Sequence, residues 1–168
     1  IWNLPDRVTV GERDWNHDIR RTYAVQMHNG TLLGRITLRN IDSATSSARL
    51  GITIGSPFVS QGLGTEALRT FLEAFFGPMH FQSMVLDVAS VNERAVRCYR
   101  RLGFQHTGIH WRDAGSRFLT NLDPASRGRV EPYIRQGRQT VWVQFYDMTL
   151  LRDHWHAQRS AQAVQSFS

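Results

Sequence analysis

The stretch GSPFVSQGLGTEALRTFLEAFFG, residues 55–77, carries a glycine-rich turn straight into a strongly apolar helix. Backbone N–H groups at such a helix start have no intrahelical acceptor, and the helix dipole adds partial positive charge, so the turn favours a phosphate. Gly62, Gly64 and Ala67 also match the G-x-G-x-x-G/A fingerprint of dinucleotide-binding folds. Asp87 lies 20 residues beyond Ala67, close to where such a fold holds a ribose. That fold, however, needs its fingerprint after the first strand of a repeating parallel unit, and the residues before position 55 do not supply one. No G-K-[ST] follows the glycines, which excludes a P-loop.

Upstream, TYAVQMH (22–28) and TLLGRITLR (31–39) alternate apolar and polar residues around Asn29-Gly30, a strong hairpin signal. ARLGITIG (48–55) reads as a third strand of an antiparallel meander. Residues 1–21 are polar and weakly patterned, with one short strand expected around Val8 to Val10. Within the opening stretch, Leu68, Phe71, Leu72, Phe75 and Phe76 recur at helical spacing, and Gly77-Pro78 ends the helix. Downstream, SMVLDVA (83–89) is a short buried strand. Asn92 is a good N-cap for a second helix carrying Ala95, Val96, Tyr99 and Leu102 and closed by Gly103. FQHTGIHW (104–111) and TVWVQFYDMTLL (140–151) read as the last strands. Between them, 112–139 reads as a long loop insertion in which Asp123-Pro124 starts at most one helical turn, limited by Pro132. The tail beyond Arg152, and 156–168 above all, is polar and is expected to fray. The expected class is α/β (α+β), a single domain with a mixed, largely antiparallel sheet and two helices packed on it.

A chain of 168 residues with 41% hydrophobic and 20% charged content is ample for one core without metal or disulfide staples. Cys98 is the only cysteine, so no disulfide framework exists and a reducing compartment is expected; the spacing gives it no partnering histidine or acid. No apolar run approaches the roughly 20 residues of a membrane span. With no secretory pattern at the N-terminus the default location is the cytoplasm, although the start at Ile1 without Met suggests a trimmed or incomplete chain. All 20 basic residues are arginine, and the net charge of +6 favours anionic partners. They are scattered rather than clustered, which reads as a solvated basic surface.

The combination of GITIGSPFVSQGLGTEALR, LDVASVNERAVRCYRRLGF and YDMTLLRDHW resembles the GNAT superfamily of N-acetyltransferases, and within it the branch that acetylates ribosomal-protein N-termini. The resemblance spans roughly residues 22–111 and 140–155. It implies a mostly antiparallel twisted sheet with helices on both faces and a V-shaped splay between two central parallel strands, LGITI and VLDVA. It implies acetyl-CoA as co-substrate, with its pyrophosphate on the turn Val59, Ser60, Gln61, Gly62, Leu63, Gly64 and Thr65. Backbone N–H groups near Ile54 would polarise the thioester carbonyl. Asn92 would contact the coenzyme, besides being a helix cap, and Tyr99 would be the general acid that protonates the departing thiolate, besides being a packed aromatic. The acceptor would be a primary amine, a protein N-terminus or a small amine, attacking directly in a ternary complex. The same resemblance makes a homodimer and ribosome association expectations.

The pattern breaks in three places. Val59 stands where relatives often carry Arg or Gln. Arg49 stands where they often carry Glu, and Thr107-Gly108 where the ribosomal-type members often have Glu-Gly. Both common seats of a general base are therefore filled by non-bases, leaving Asp87, Ser90 (through water), His106 and His110 as candidates. The acceptor-binding segment expected before YAVQM is short. These departures admit a rival reading, a degenerate member that binds acyl-CoA without transferring the acyl group, and a further one, an RNA- or ribosome-binding module using its arginines.

Overall fold

The structure, a computed structural model, describes residues 20–165, with side chains through 161. The strand expected around Val8 to Val10 lies outside the described residues. Hydrogen bonding connects seven strands in the order β1-β2-β3-β4-β7-β5, with β6 on β7. Most pairings are antiparallel, and the β3–β4 pairing is parallel. The described residues form two compact units, 20–86 with 150–165, and 87–149.

In the first unit, β1 (Arg21–Gln26), β2 (Leu32–Asp42) and β3 (Ser47–Ile54) form the expected meander. Alternation decides its faces. Tyr23, Ile36, Leu38, Ala48 and Leu50 are buried, while Thr22, Arg35, Thr37, Arg39, Arg49 and Thr53 point the other way. Helix α1 (Leu63–Phe76) lies on the apolar face, where Phe71 meets the Tyr23 ring at 5.0 Å. Phe71, Leu72, Phe75 and Phe76 are all sealed from solvent, and Phe75 stacks on Phe81 at 4.3 Å. β4 (Ser83–Ala89) begins parallel to β3, with Ser47–Arg49 registered on Ser83–Val85. Among the described residues that register stops at Arg49, and β3 runs on to Ile54.

Through Gln165 the polar tail is helical rather than frayed, forming α4 (Arg152–Gln165), and among the described side chains Trp155 anchors it. Trp155 is buried with its ring 6.3 Å from that of Phe76, and Arg159 pairs with Glu73 at 2.7 Å.

The second unit holds α2 (Glu93–Arg101), β5 (Gln105–Asp113) and most of β7 (Val141–Leu151), near the bounds expected from sequence. Segment 112–139 is more ordered than a loop insertion. It contains α3 (Pro124–Val130), a following 3-10 turn at Glu131–Tyr133, and β6 (Ile134–Gln136) paired antiparallel with β7. The Asp123 side chain caps α3 by accepting from Ser126 N–H at 3.0 Å. A three-residue strand is too short to show alternation. β6 is fixed instead by the β7 ladder and by Arg135, whose guanidinium lies 4.0 Å from the Trp111 ring centroid.

Candidate active site

The turn that connects β3 to α1 carries the candidate residues of the first unit. Gly55 N–H donates to Leu33 O at 2.8 Å, tying the end of β3 to β2. A 3-10 turn at Ser56–Phe58 follows, and Val59 resumes extended backbone. Ser60 (φ +66°) and Gly62 (φ +82°) then take left-handed conformations, which fold the chain back into the helix. Gly62 is the N-cap. It offers no side-chain acceptor; its carbonyl accepts Thr65 N–H at 3.0 Å and Glu66 N–H at 3.1 Å. A Cβ at Gly62 would meet nothing within 4 Å, so the backbone faces open space there. Gln61 braces the turn from within, donating from Nε2 to Pro57 O at 2.8 Å. Gly64 lies against half-buried Ile54, where a Cβ would stand 3.4 Å from the Ile54 Cγ1.

The geometry of the turn suits an anion. Left-handed residues reverse the chain, the glycine cap leaves the approach open, and the first-turn N–H groups of a 14-residue helix lie behind it. Val59 in place of Arg or Gln removes no backbone donor. Thus the structure brings Ile54 and residues 59–65 together on one strand–turn–helix corner.

Further candidate residues lie in the other compact unit. Asn92 caps α2, its Oδ1 accepting Ala95 N–H at 3.3 Å, and the side chain is exposed. Tyr99 lies on the same helix, half-buried, with its ring edge-on to Phe104 at 5.7 Å. Burial pushes its phenol up to about 12, helped by the charges of Cys98 and Asp87. Cys98 is a half-buried thiol in no disulfide.

The four base candidates fare differently. Asp87, with a side chain only 9% exposed, is ion-paired to Arg112 at 2.8 Å. The same arginine donates from Nε to His110 Nε2 at 3.0 Å, and His110 Nδ1 meets Asp147 Oδ2 at 3.0 Å. Acceptance at Nε2 assigns the proton to Nδ1, so both imidazole nitrogens are engaged. The chain Asp87–Arg112–His110–Asp147 wraps Phe145, with Arg112 4.4 Å from the ring centroid and His110 stacked at 5.6 Å. His106 is exposed and edge-on to Tyr146 at 4.9 Å. Ser90 is buried, and its Oγ finds no hydrogen-bond partner among the described residues. Sequence reasoning missed Arg112 and Asp147. The signal for Arg112 was the i, i+2 spacing from His110, which puts both on one face of β5.

Comparison with known proteins identifies the family and the fold. The family model for the acetyltransferase (GNAT) domain matches residues 6–105. The Bacillus subtilis protein YdaF, named as a candidate ribosomal N-acetyltransferase, is 28% identical over 98 residues, which cover 56% of this chain and 54% of YdaF. The chain thus spans about half the length of that relative. Among solved structures, a spermidine N-acetyltransferase SpeG chimera from Vibrio cholerae and hSSAT superposes with a TM-score of 0.62 at 20% identity, covering 82% of this chain and 69% of the other. The Vibrio cholerae spermidine N-acetyltransferase in complex with CoA and spermine gives 0.58 at 21% identity, covering 81% and 68%. With a mixed, mostly antiparallel sheet, a glycine turn at the end of β3 and a family match over more than half its length, the chain belongs to the GNAT acetyltransferase family.

Proposed function

We propose that the chain transfers an acetyl group from acetyl-CoA to a primary amine, a protein N-terminus or a small amine, by direct attack in a ternary complex. The observation that carries this reading is the turn at residues 59–65, an anion cradle of backbone donors ending in an open glycine cap. Acetyl-CoA supplies the thioester. Backbone N–H groups within residues 59–65, other than those of Val59 and Thr65 that already donate inside the turn, hold its pyrophosphate, and N–H groups near Ile54 polarise the carbonyl as negative charge develops on oxygen. Asn92 adds a polar contact to the coenzyme. Tyr99 donates its phenolic proton toward the departing sulfur. A phenol raised to about 12 is fully protonated at neutral pH, as that role requires. Family resemblance adds a homodimer and association with the ribosome to this reading.

A second reading has one observation in its favour. Asp87 and His110, two of the four base candidates, are bound to the same arginine, which favours a protein that binds acyl-CoA without transferring the acyl group. Calorimetric titration with acetyl-CoA, NADH as control, tests the shared part of both readings. Wild type is expected to bind acetyl-CoA only, and Gly64→Glu, verified as folded, to bind neither. Failure of the wild type to bind acetyl-CoA rejects both. Release of free thiol across an amine panel then separates transfer from binding alone.

A further inference from the structure

In the second unit the sheet formed by β5, β7 and β6 has two unlike faces. Alternation on β7 seals Val141 and Val143 on one face and turns Trp142, Gln144 and Tyr146 to the other. Register adds Ile109 opposite Tyr146, Trp111 opposite Gln144, and Asp113 and Arg135 on either side of Trp142. Ile109 is 51% exposed and Trp142 39%, while Trp111 and Tyr146 are half-buried. Four large apolar side chains thus form one contiguous patch rather than scattered exposures, the pattern of a binding face.

The geometry favours contact with flat rings. Trp111 is the diagonal neighbour of both Trp142 and Tyr146, so the three aromatic positions step across the face at intervals of about 7–8 Å. Such a zigzag suits the splayed bases of an extended single strand, each of which offers a π-face. Bases in a duplex stack on one another and offer none.

Charge points the same way. The Arg135 guanidinium lies over the Trp111 ring at 4.0 Å from its centroid, a contact that leaves guanidinium N–H donors for a phosphate. The acid on this face, Asp113, is bound into its own loop, accepting from the Thr140 hydroxyl and from Gly115 N–H. Glu93, which meets Tyr133, is paired with Arg97 at 3.2 Å. Residues 87–149 as a whole hold ten arginines against six acidic residues, a balance that draws in an anionic chain.

We infer that the β5–β7–β6 face binds a single-stranded nucleic acid, with bases stacked on Trp142, on Tyr146 and on the Arg135–Trp111 pair between them. Phosphate is held at the edge of the Arg135 guanidinium. This site lies within the second unit and is independent of the proposed transfer reaction.

The test is fluorescence anisotropy at low salt with labelled oligoadenylate, as RNA and as DNA. An RNA duplex of equal length and a glutamate-rich peptide are the comparison probes. Both single strands are expected to bind more tightly than either comparison probe, and to quench tryptophan emission as they do. Trp142→Ala should weaken binding roughly 5- to 150-fold, the range of one lost base stack, and Trp142→Phe should restore most of it. Arg135→Gln should weaken binding and lower the slope of log Kd against log salt by about 0.7, the share of one phosphate contact. Circular dichroism checks that each variant is folded. Failure of both single strands to bind overturns the inference, as does wild-type affinity in folded Trp142→Ala. Equal affinity for the duplex overturns the stacking mode, and with it the site. Tighter binding of the glutamate-rich peptide overturns it in favour of an acidic protein partner.

Discussion

Tyr99 and Asn92 show how a structural and a chemical role separate at one residue. The phenol of Tyr99 is held near 12 mainly by burial, against an ordinary value of 10. Proton transfer to a thiolate of ordinary pKa, about 8.5, is therefore uphill. On the proposed mechanism the residue supplies first a strong hydrogen bond to developing negative charge, and Tyr99→Phe would remove it while keeping the packing on Phe104. The expected result is a kcat lowered by roughly 10²- to 10⁴-fold with KM little changed, measured by steady-state thiol release. The same shift makes a stability statement. The folded protein keeps the proton up to about 12 while the unfolded chain releases it near 10. Stability is thus intact below pH 10 and falls between about 10 and 12, by roughly 1–2 kcal/mol, since part of the ring still meets solvent. Urea unfolding at pH 9 and pH 11 should show that loss in wild type and a smaller one in Tyr99→Phe. For Asn92, Ala removes the cap and should cost about 1 kcal/mol. Asp keeps the cap acceptor but adds a negative charge, so Asn92→Asp should leave stability near wild type and weaken acetyl-CoA binding. Unchanged affinity would reduce Asn92 to a cap.

At the scale of elements, the β3–α1 corner depends on a close approach of β2 to the end of β3. Gly34 on β2 is opposite Val25, and a Cβ there would overlap the Thr53 carbonyl oxygen and lie 3.0 Å from Ile54 Cα. Both are backbone atoms at the end of β3, so neither can rotate away. Gly34→Ala must push β3 off β2 and carry Ile54 and the turn with it. A stability loss of about 1–3 kcal/mol is expected, together with weaker acetyl-CoA binding, read by urea unfolding and calorimetry on the same variant. A variant that lost stability but kept full affinity would show the corner to be independent of strand spacing. Such packing explains what the sequence could and could not announce. Regular alternation around Asn29-Gly30, the apolar spacing of Leu68 to Phe76 and the Asn92 cap each follow from local chemistry, and those elements were legible. β6 was not, since its partner strand and Trp111 are remote in sequence. α4 was not either, since Trp155, buried against Phe76, outweighs a polar composition. The site divided the same way. Backbone donors at residues 59–65 are marked by their glycines, whereas the Asp87–Arg112–His110–Asp147 chain exists only once β5 and β7 are paired.

The whole molecule carries its positive charge in an unusual form, 20 arginines and no lysine. A guanidinium is protonated at any accessible pH and presents no lone pair for attack on a thioester, whereas a lysine amine with a lowered pKa does. Acetyl-CoA bound beside a lysine-rich surface would acetylate its own protein slowly, and the released thiol would pass for turnover. This chain has no side-chain amine through which that can occur. Intact-mass spectrometry after prolonged incubation with acetyl-CoA at pH 8 should therefore show at most one stable acetyl amide, on the chain's own α-amine. Thiol release without an added acceptor should correspondingly stop at one equivalent per chain. Two or more stable acetyl groups would mean that another nucleophile, Cys98 or a tyrosine, is being acylated durably. Brief hydroxylamine treatment would identify it, because it removes thioesters and phenyl esters and leaves amides in place. If the single-acetyl limit holds, thiol released beyond one equivalent, after subtracting the hydrolysis measured without acceptor, reports transfer to the added acceptor.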